Sequence, residues 1–205
     1  MATSQVHSDK VRPPGMSLVE ALKVLAELRR DDQVVLTQMG SSREWPKLSD
    51  HVLDLNYLPS TMGGGPPLGL GLAMAQPKRE VLVLSGDGCL LMSLGCLVSI
   101  VDSGATNLSV IVLDNGIYEV TGGQHTAAAA ARADFAGFAR AAGFPNVAQC
   151  SELSDWQQRA ADIFQRPGPR FVWLTVQPVG DDYALRPLGP MAERVERFCA
   201  ALSTR

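Results

Sequence analysis

Charge is the first thing this sequence has little of. Only 19% of its residues are Asp, Glu, Lys or Arg, the formal net charge is −3, and the basic residues are scattered. No stripe of Lys and Arg is available to follow a nucleic-acid backbone, which removes that class of partner. Histidine is scarce too, at three, and the four cysteines, Cys89, Cys96, Cys150 and Cys199, include no C-x-x-C pair. A zinc site or a disulfide framework is therefore not indicated, and the thiols read as reduced, small apolar side chains. Long apolar runs are missing: residues 81–100 are interrupted by Asp87 and by glycines, short of the roughly 20 apolar residues that cross a bilayer. The N-terminal MATSQVHSDKVRPPG has no apolar core of the kind a signal peptide needs, so a cytoplasmic location is the expectation.

What is present is apolar and glycine-rich. With 205 residues, 46% of them hydrophobic, the chain can bury one good core and has a large apolar surface to place, either inside or at an interface. Residues 1–15 read as a flexible leader and 16–205 as one domain. Ser17 with Glu20 three residues on starts a helix whose stripe is Leu18, Leu22, Leu25 and Leu28. A strand over 33–37 follows, then a polar, turn-rich stretch over 40–50 and a short apolar run over 52–55. A small-residue helix over 68–75 leads to a strand over 81–84, a mostly apolar helical stretch, and a strand over 108–113. Beyond an alanine-rich segment, Asp134 caps a helix that ends at Gly143. A strand over 146–149, a helix from Ser154 to Ile163, a strand over 171–176 and a helix over 191–202 close the chain. Strand and helix alternate throughout, which predicts an α/β fold, a three-layer α/β/α sandwich with a mostly parallel central sheet.

Two of the strands end alike. The first runs into Gly86-Asp87-Gly88, the second into Asp114-Asn115-Gly116, with 26 residues from Cys89 to Asp114 between the GDG and Asn115. That spacing lets a helix and a strand return the chain beside its starting point, at the strand ends where open parallel sheets place ligands. Asp87 and Asn115 offer hard oxygen atoms, and the flanking glycines let backbone approach a phosphate. One Asp and one Asn neutralise only part of a magnesium ion's charge, so a diphosphate would complete its shell. A dinucleotide fingerprint fits poorly, because GDGCLLMSLG lacks the third glycine at its spacing, and no G-K-S or G-K-T marks a Walker A loop. Among the histidines, His7 lies in the leader. His51 reads as a loop residue or one facing a substrate across an interface, and His125 as local structure or as a group handling substrate or protons. Met62, set among glycines, packs locally or supports a bound ring.

These residues resemble the diphosphate-binding domain of the thiamine diphosphate enzymes, whose signature is GDG, about 26 residues, then Asn-Asn. Asp114 departs from it at the first asparagine. The resemblance implies that Asp87 and Asn115 bind Mg²⁺ through side chains and Ile117 through its backbone carbonyl. It also implies that Gly86, Gly88, Cys89 and Val120 lie along the diphosphate, Cys89 standing where serine is common. Ser60 would meet the cofactor's 4′-amino group through its carbonyl, and Met62 would hold the cofactor bent. The strings MGSSREW, STMGGGPPLGLGLAMAQP, LSGDGCLLMSLG and LDNGIYEVTGGQHT are similar to the beta subunit of sulfopyruvate decarboxylase, with phosphonopyruvate decarboxylase a close relative. The implied reaction is decarboxylation of a small 2-oxo acid, sulfopyruvate first. The alternatives are phosphonopyruvate or another 2-oxo acid, carboligation, or a non-catalytic scaffolding subunit. Arg43 is one candidate for the substrate's acid group, against plain exposure in a loop. The pyrimidine-binding domain and its activating glutamate have no place in this chain and are expected on a separate alpha subunit, in a heterotetramer or larger assembly, with the glycine-rich 63–71 region at the interface.

Overall fold

The computed structural model describes residues 14–58, 61–179 and 188–203. Packing begins at the edge of the leader: the Met16 N–H donates to the Thr175 carbonyl at 3.0 Å, and the Gln177 N–H donates back to the Met16 carbonyl at 2.8 Å. Ser17 caps α1 (Leu18–Leu28) by accepting from the Glu20 N–H at 3.4 Å. Glu20 does not return the favour, because its carboxylate is taken by Lys23 at 2.7 Å. Only half of the capping box forms.

The chain then alternates as its pattern predicts. It runs through β1 (Val34–Gln38), α2 (Ser41–Glu44), a 3₁₀ turn at Trp45–Lys47, β2 (Asp54–Tyr57), α3 (Gly65–Ala75) and β3 (Val81–Gly86). Next come α4 (Asp87–Leu91), α5 (Cys96–Asp102), β4 (Leu108–Asp114), β5 (Ile117–Tyr118) and β6 (Gln124–His125). The remainder is α6 (Ala127–Ala131), α7 (Phe135–Ala142), β7 (Asn146–Cys150), α8 (Leu153–Gln165), β8 (Arg170–Thr175) and α9 (Met191–Ser203). Six strands form one wholly parallel sheet in the order β2-β1-β3-β4-β8-β7, while β5 and β6 make a small antiparallel ladder.

Alternation along the strands builds two cores. Leu82, Leu84, Ile111, Leu113, Val172 and Leu174 pack with α1 and α8 on one face. Val81, Val83, Val110, Val112 and Phe171 pack on the other with residues from α3 to α7 and Phe198 of α9. A parallel sheet buried on both faces reads as a continuous apolar run, as 81–84 does. Each of these fully buried aliphatics contributes about 1.5–3 kcal/mol relative to exposure. Gly69 sets the depth of α3 on the sheet, since a Cβ there would lie 2.2 Å from Cγ2 of Val83.

Three local expectations change. The helix over 68–75 starts earlier, at Gly65, with Pro66 and Pro67 in its first turn, where a missing N–H costs nothing. The helical stretch after GDG is two helices, separated by a turn over 92–95 that contains Gly95, a weak helix former. The stretch over 40–50 is a short helix and a 3₁₀ turn, buried from Ser41 to Pro46. Its serines bond inside the protein: Ser41 Oγ donates to the Gln38 and Leu84 carbonyls, and Ser42 Oγ pairs with Thr37 Oγ1 at 2.9 Å.

Candidate functional site

The sheet's order reverses about β1: the chain steps to β2 on one side and then crosses to β3 on the other. Ligand clefts of open α/β sheets open at the carboxyl ends of strands beside such a reversal. Here β1, β3 and β4 end together, and the register that pairs Gly86 with Leu113 brings Asp87 alongside Asp114 and Asn115. The cleft above them holds about 590 Å³ of space, counting its open mouth and the solvent there.

Asp87 is the first residue of α4 and only 1% exposed. Its Oδ2 accepts from Thr126 Oγ1 at 2.7 Å. Burial, and then the negative charge of Asp114, push its carboxyl up to about 7, against the opposing pull of the Thr126 and Gly88 hydrogen bonds. Asp114 is fixed by donors on both oxygens, the Gly116 N–H at 3.2 Å and Trp173 Nε1 at 2.9 Å. Asn115 accepts from the Ile117 N–H through Oδ1 at 3.0 Å and donates from Nδ2 to Glu119 Oε2 at 3.1 Å. Gly116, at φ +75°, supplies the left-handed turn between them.

Of the residues picked out by sequence, Met62, Gly86, Asp87, Gly88, Cys89, Asn115, Ile117 and Val120 all line this cleft. Val120 sits at its lip, 53% exposed, and Cys89 is buried, its thiol pushed up by desolvation. Ser60 lies outside the described residues. His125 is not in the cleft lining: it is exposed on β6, paired in register with Ile117. The neighbouring Thr126 is the residue that touches Asp87. His51 is engaged locally, its Nδ1 accepting from Arg29 Nη2 at 2.7 Å and from the Leu53 N–H at 3.1 Å. Arg43 is not an exposed loop cation; it is buried on α2 with Nη2 at 3.6 Å from Glu119 Oε2. Its charge faces the Glu119 carboxylate inside the protein.

The donor set fits a hard cation carrying a phosphate ligand. Asp87 and Asn115 supply oxygen donors, and oxygen suits magnesium rather than zinc. Among the described residues, no cluster of three or more His, Cys, Asp or Glu side chains could hold a metal, so Asp87 and Asn115 leave positions in a magnesium shell for phosphate oxygens or water. The glycines fit as well. A Cβ at Gly86 would meet nothing within 4 Å, leaving open space over the strand end, whereas a Cβ at Gly88 would lie 2.4 Å from Cε1 of Tyr118.

Residues 36–173 match the thiamine pyrophosphate enzyme C-terminal TPP binding domain. The chain belongs to the thiamine pyrophosphate enzymes. Within that family it is 38% identical over 193 residues to a phosphonopyruvate decarboxylase from Streptomyces viridochromogenes, covering 94% of this chain and 47% of that protein. It therefore spans about half the length of that relative. It is 33% identical over 180 residues to the sulfopyruvate decarboxylase subunit beta of Methanothermobacter thermautotrophicus, covering 88% of this chain and 92% of the subunit. The thiamine diphosphate-dependent 4-hydroxybenzoylformate decarboxylase of Rhodococcus jostii RHA1 superposes with a TM-score of 0.63 at 19% identity, over 82% of this chain and 34% of that one. That likeness concerns the fold.

Sequence reasoning missed three residues that shape the thiamine pyrophosphate domain's cleft: Gln38, Glu119 and Thr126. Gln38 is wholly buried in a strand and donates from Nε2 to the Thr61 carbonyl at 2.6 Å, holding the turn that carries Met62. A polar residue ending the apolar run of β1 was the available signal. Glu119 and Thr126 stand in the string LDNGIYEVTGGQHT, and their long-range partners, Arg43 and Asp87, come from distant parts of the sequence.

Proposed function

We propose that this chain binds thiamine diphosphate and Mg²⁺ and forms the beta-type half of a 2-oxo acid decarboxylase. Its pyrimidine-binding half, with the activating glutamate, lies on another chain. The observation that carries this is the meeting of Asp87 and Asn115 at one cleft beside open backbone at Gly86. In that cleft the Asp87 carboxylate and Asn115 Oδ1 hold the cation, with the Ile117 carbonyl as a third oxygen. Thr126 orients Asp87, and the backbone from Gly86 to Cys89 faces the diphosphate. Met62, on the turn tied down by Gln38, shapes the opposite wall. Leu18, Ile117 and Val176 line the cleft with apolar surface and keep water from its interior. When bound, thiamine diphosphate supplies the nucleophile and electron sink that loss of CO₂ from a 2-oxo acid requires.

The substrate is a 3-carbon 2-oxo acid with a second anionic group. Sulfopyruvate leads in the sequence reading. The identity to the Streptomyces enzyme favours phosphonopyruvate ahead of it, and the length match to a sulfopyruvate decarboxylase beta subunit favours the two-chain arrangement. Exposed apolar positions on and beside α3 and α5 support a seat for the partner there: Leu68, Met74, Met92 and Val98 are 36%, 63%, 58% and 60% exposed, and Gly71 and Gly95 would meet nothing with an added Cβ. Apolar surface depleted of charge suits a protein interface.

The test is co-expression with a pyrimidine-domain chain, then assay of CO₂ and aldehyde from phosphonopyruvate, sulfopyruvate and pyruvate with thiamine diphosphate and Mg²⁺. Activity confined to the pair, with one anionic oxo acid preferred, is the expected result. Formation of a hydroxyketone from two oxo acids would replace decarboxylation with carboligation.

A further inference from the structure

Asn115 presents two chemically different ends, an oxygen that accepts and an NH₂ that donates, and only one orientation offers oxygen to a cation. Nothing in the residue itself selects that orientation. Its neighbour does. Glu119 Oε2 lies 3.1 Å from Asn115 Nδ2, and a carboxylate paired with a guanidinium acts only as an acceptor, so the end of Asn115 facing it must be NH₂. The opposite end is then oxygen. One of its lone pairs takes the Ile117 N–H at 3.0 Å, which leaves the other for a cation.

Glu119 is held for this task from two further directions. Its side chain is 8% exposed and its Oε2 stands 3.6 Å from Nη2 of Arg43, itself 7% exposed. Its Oε1 accepts from the Val179 N–H, in the segment that follows β8. The carboxylate thus joins α2, the turn after β4 and the chain leaving β8 at one point beside the cleft. We propose that Glu119 is a positioning residue that sets the amide of Asn115 with Oδ1 free for the metal, with Arg43 as the counter-charge that keeps the carboxylate in place. This rests on the proposal that Asp87 and Asn115 hold Mg²⁺ with thiamine diphosphate.

Exchanging donor and acceptor across the pair tests it. Mn²⁺ replaces Mg²⁺, and its binding is followed by electron paramagnetic resonance with thiamine diphosphate present, in the assembly where the wild-type chain binds both. Glu119→Gln turns the acceptor-only group into an amide that no longer excludes the reversed orientation of Asn115; loss of one charge-assisted hydrogen bond predicts Mn²⁺ affinity weakened about tenfold or more. Asn115→Asp alone sets carboxylate against carboxylate and weakens binding similarly. The double variant Asn115→Asp, Glu119→Gln rebuilds the hydrogen bond in reverse and restores affinity to within about threefold of wild type, a coupling between adjacent groups that a double-mutant cycle detects. Recovery of Mn²⁺ affinity in the double variant is what separates positioning from a general contribution to folding. Wild-type affinity in Glu119→Gln, or a double variant no better than the weaker single, overturns the proposal while leaving the metal site standing. Failure of the wild-type chain to bind Mn²⁺ at all, or full binding in Asp87→Ala, overturns the metal reading and the proposal with it.

Discussion

Asp87 is buried beside a second carboxylate, which makes its proton a competitor for any cation. Its carboxyl stands at about 7 in the folded, metal-free chain, against about 3.9 when unfolded. Between those values the folded chain keeps a proton that the unfolded chain has lost. Metal-free stability therefore falls as pH rises from about 4 to about 7 and is flat in this contribution above that. Denaturant titrations at pH 5 and pH 8 without metal check the sign, and Asp87→Asn is expected to abolish the slope. At the same scale, Gly88→Ala forces a Cβ to within 2.4 Å of the Tyr118 ring. Overpacking of this kind predicts a loss of about 1–3 kcal/mol by chemical denaturation, with weaker thiamine diphosphate binding as the backbone shifts. Asp87, Asn115 and Gly88 were legible as cleft residues because glycines beside polar residues at strand ends form a local signal, whereas Met62 was picked out through the family resemblance. Glu119 and Gln38 were not, because their worth lies in what they touch: the Thr61 carbonyl for Gln38, and for Glu119 both the Asn115 amide and Arg43, 76 residues away in sequence.

The elements follow from patterns of differing reach. The buried strands and the helix capped by Asp134, whose Oδ1 accepts from the Gly137 N–H at 2.8 Å before a left-handed Gly143 ends it, were readable from caps and apolar runs. The α2 stretch was not. Its Ser, Arg and Glu residues are polar, yet they are buried and paired, Ser42 with Thr37, Arg43 with Glu119 and Glu44 with Lys47, and such pairing leaves no periodic trace. The α3 boundary was missed through weighing glycine content over the prolines at the helix start. The seat of α3 on β3 is itself a prediction at this scale. Gly69→Ala overpacks against Val83 and lowers stability by about 1–3 kcal/mol, and Val83→Ala in the same chain recovers part of that loss by opening the space. Equal instability of the single and double variants in urea titrations would contradict this packing account.

For the whole molecule, the sheet order and the placement of the cleft at the reversal about β1 follow from topology that alternation alone constrains without deciding. No helix among the described residues is long and apolar enough to cross a membrane; the exposed apolar positions of α3 and α5 are the proposed seat of the partner chain. Met74→Arg and Val98→Arg, both on exposed positions, are expected to dissociate the assembly in sedimentation while leaving the thermal transition of the chain within a few degrees. If both variants stay associated, the partner sits elsewhere. The two-part site and the metal meet in one quantity, the affinity for thiamine diphosphate. Calorimetric titration of the cofactor into the assembly, with Mg²⁺ and then with EDTA, measures it directly. The account predicts saturable binding that needs Mg²⁺ and falls at least about tenfold, or 1.4 kcal/mol, in Asp87→Ala and in Asn115→Ala. Binding of equal strength with EDTA and in both variants would contradict it.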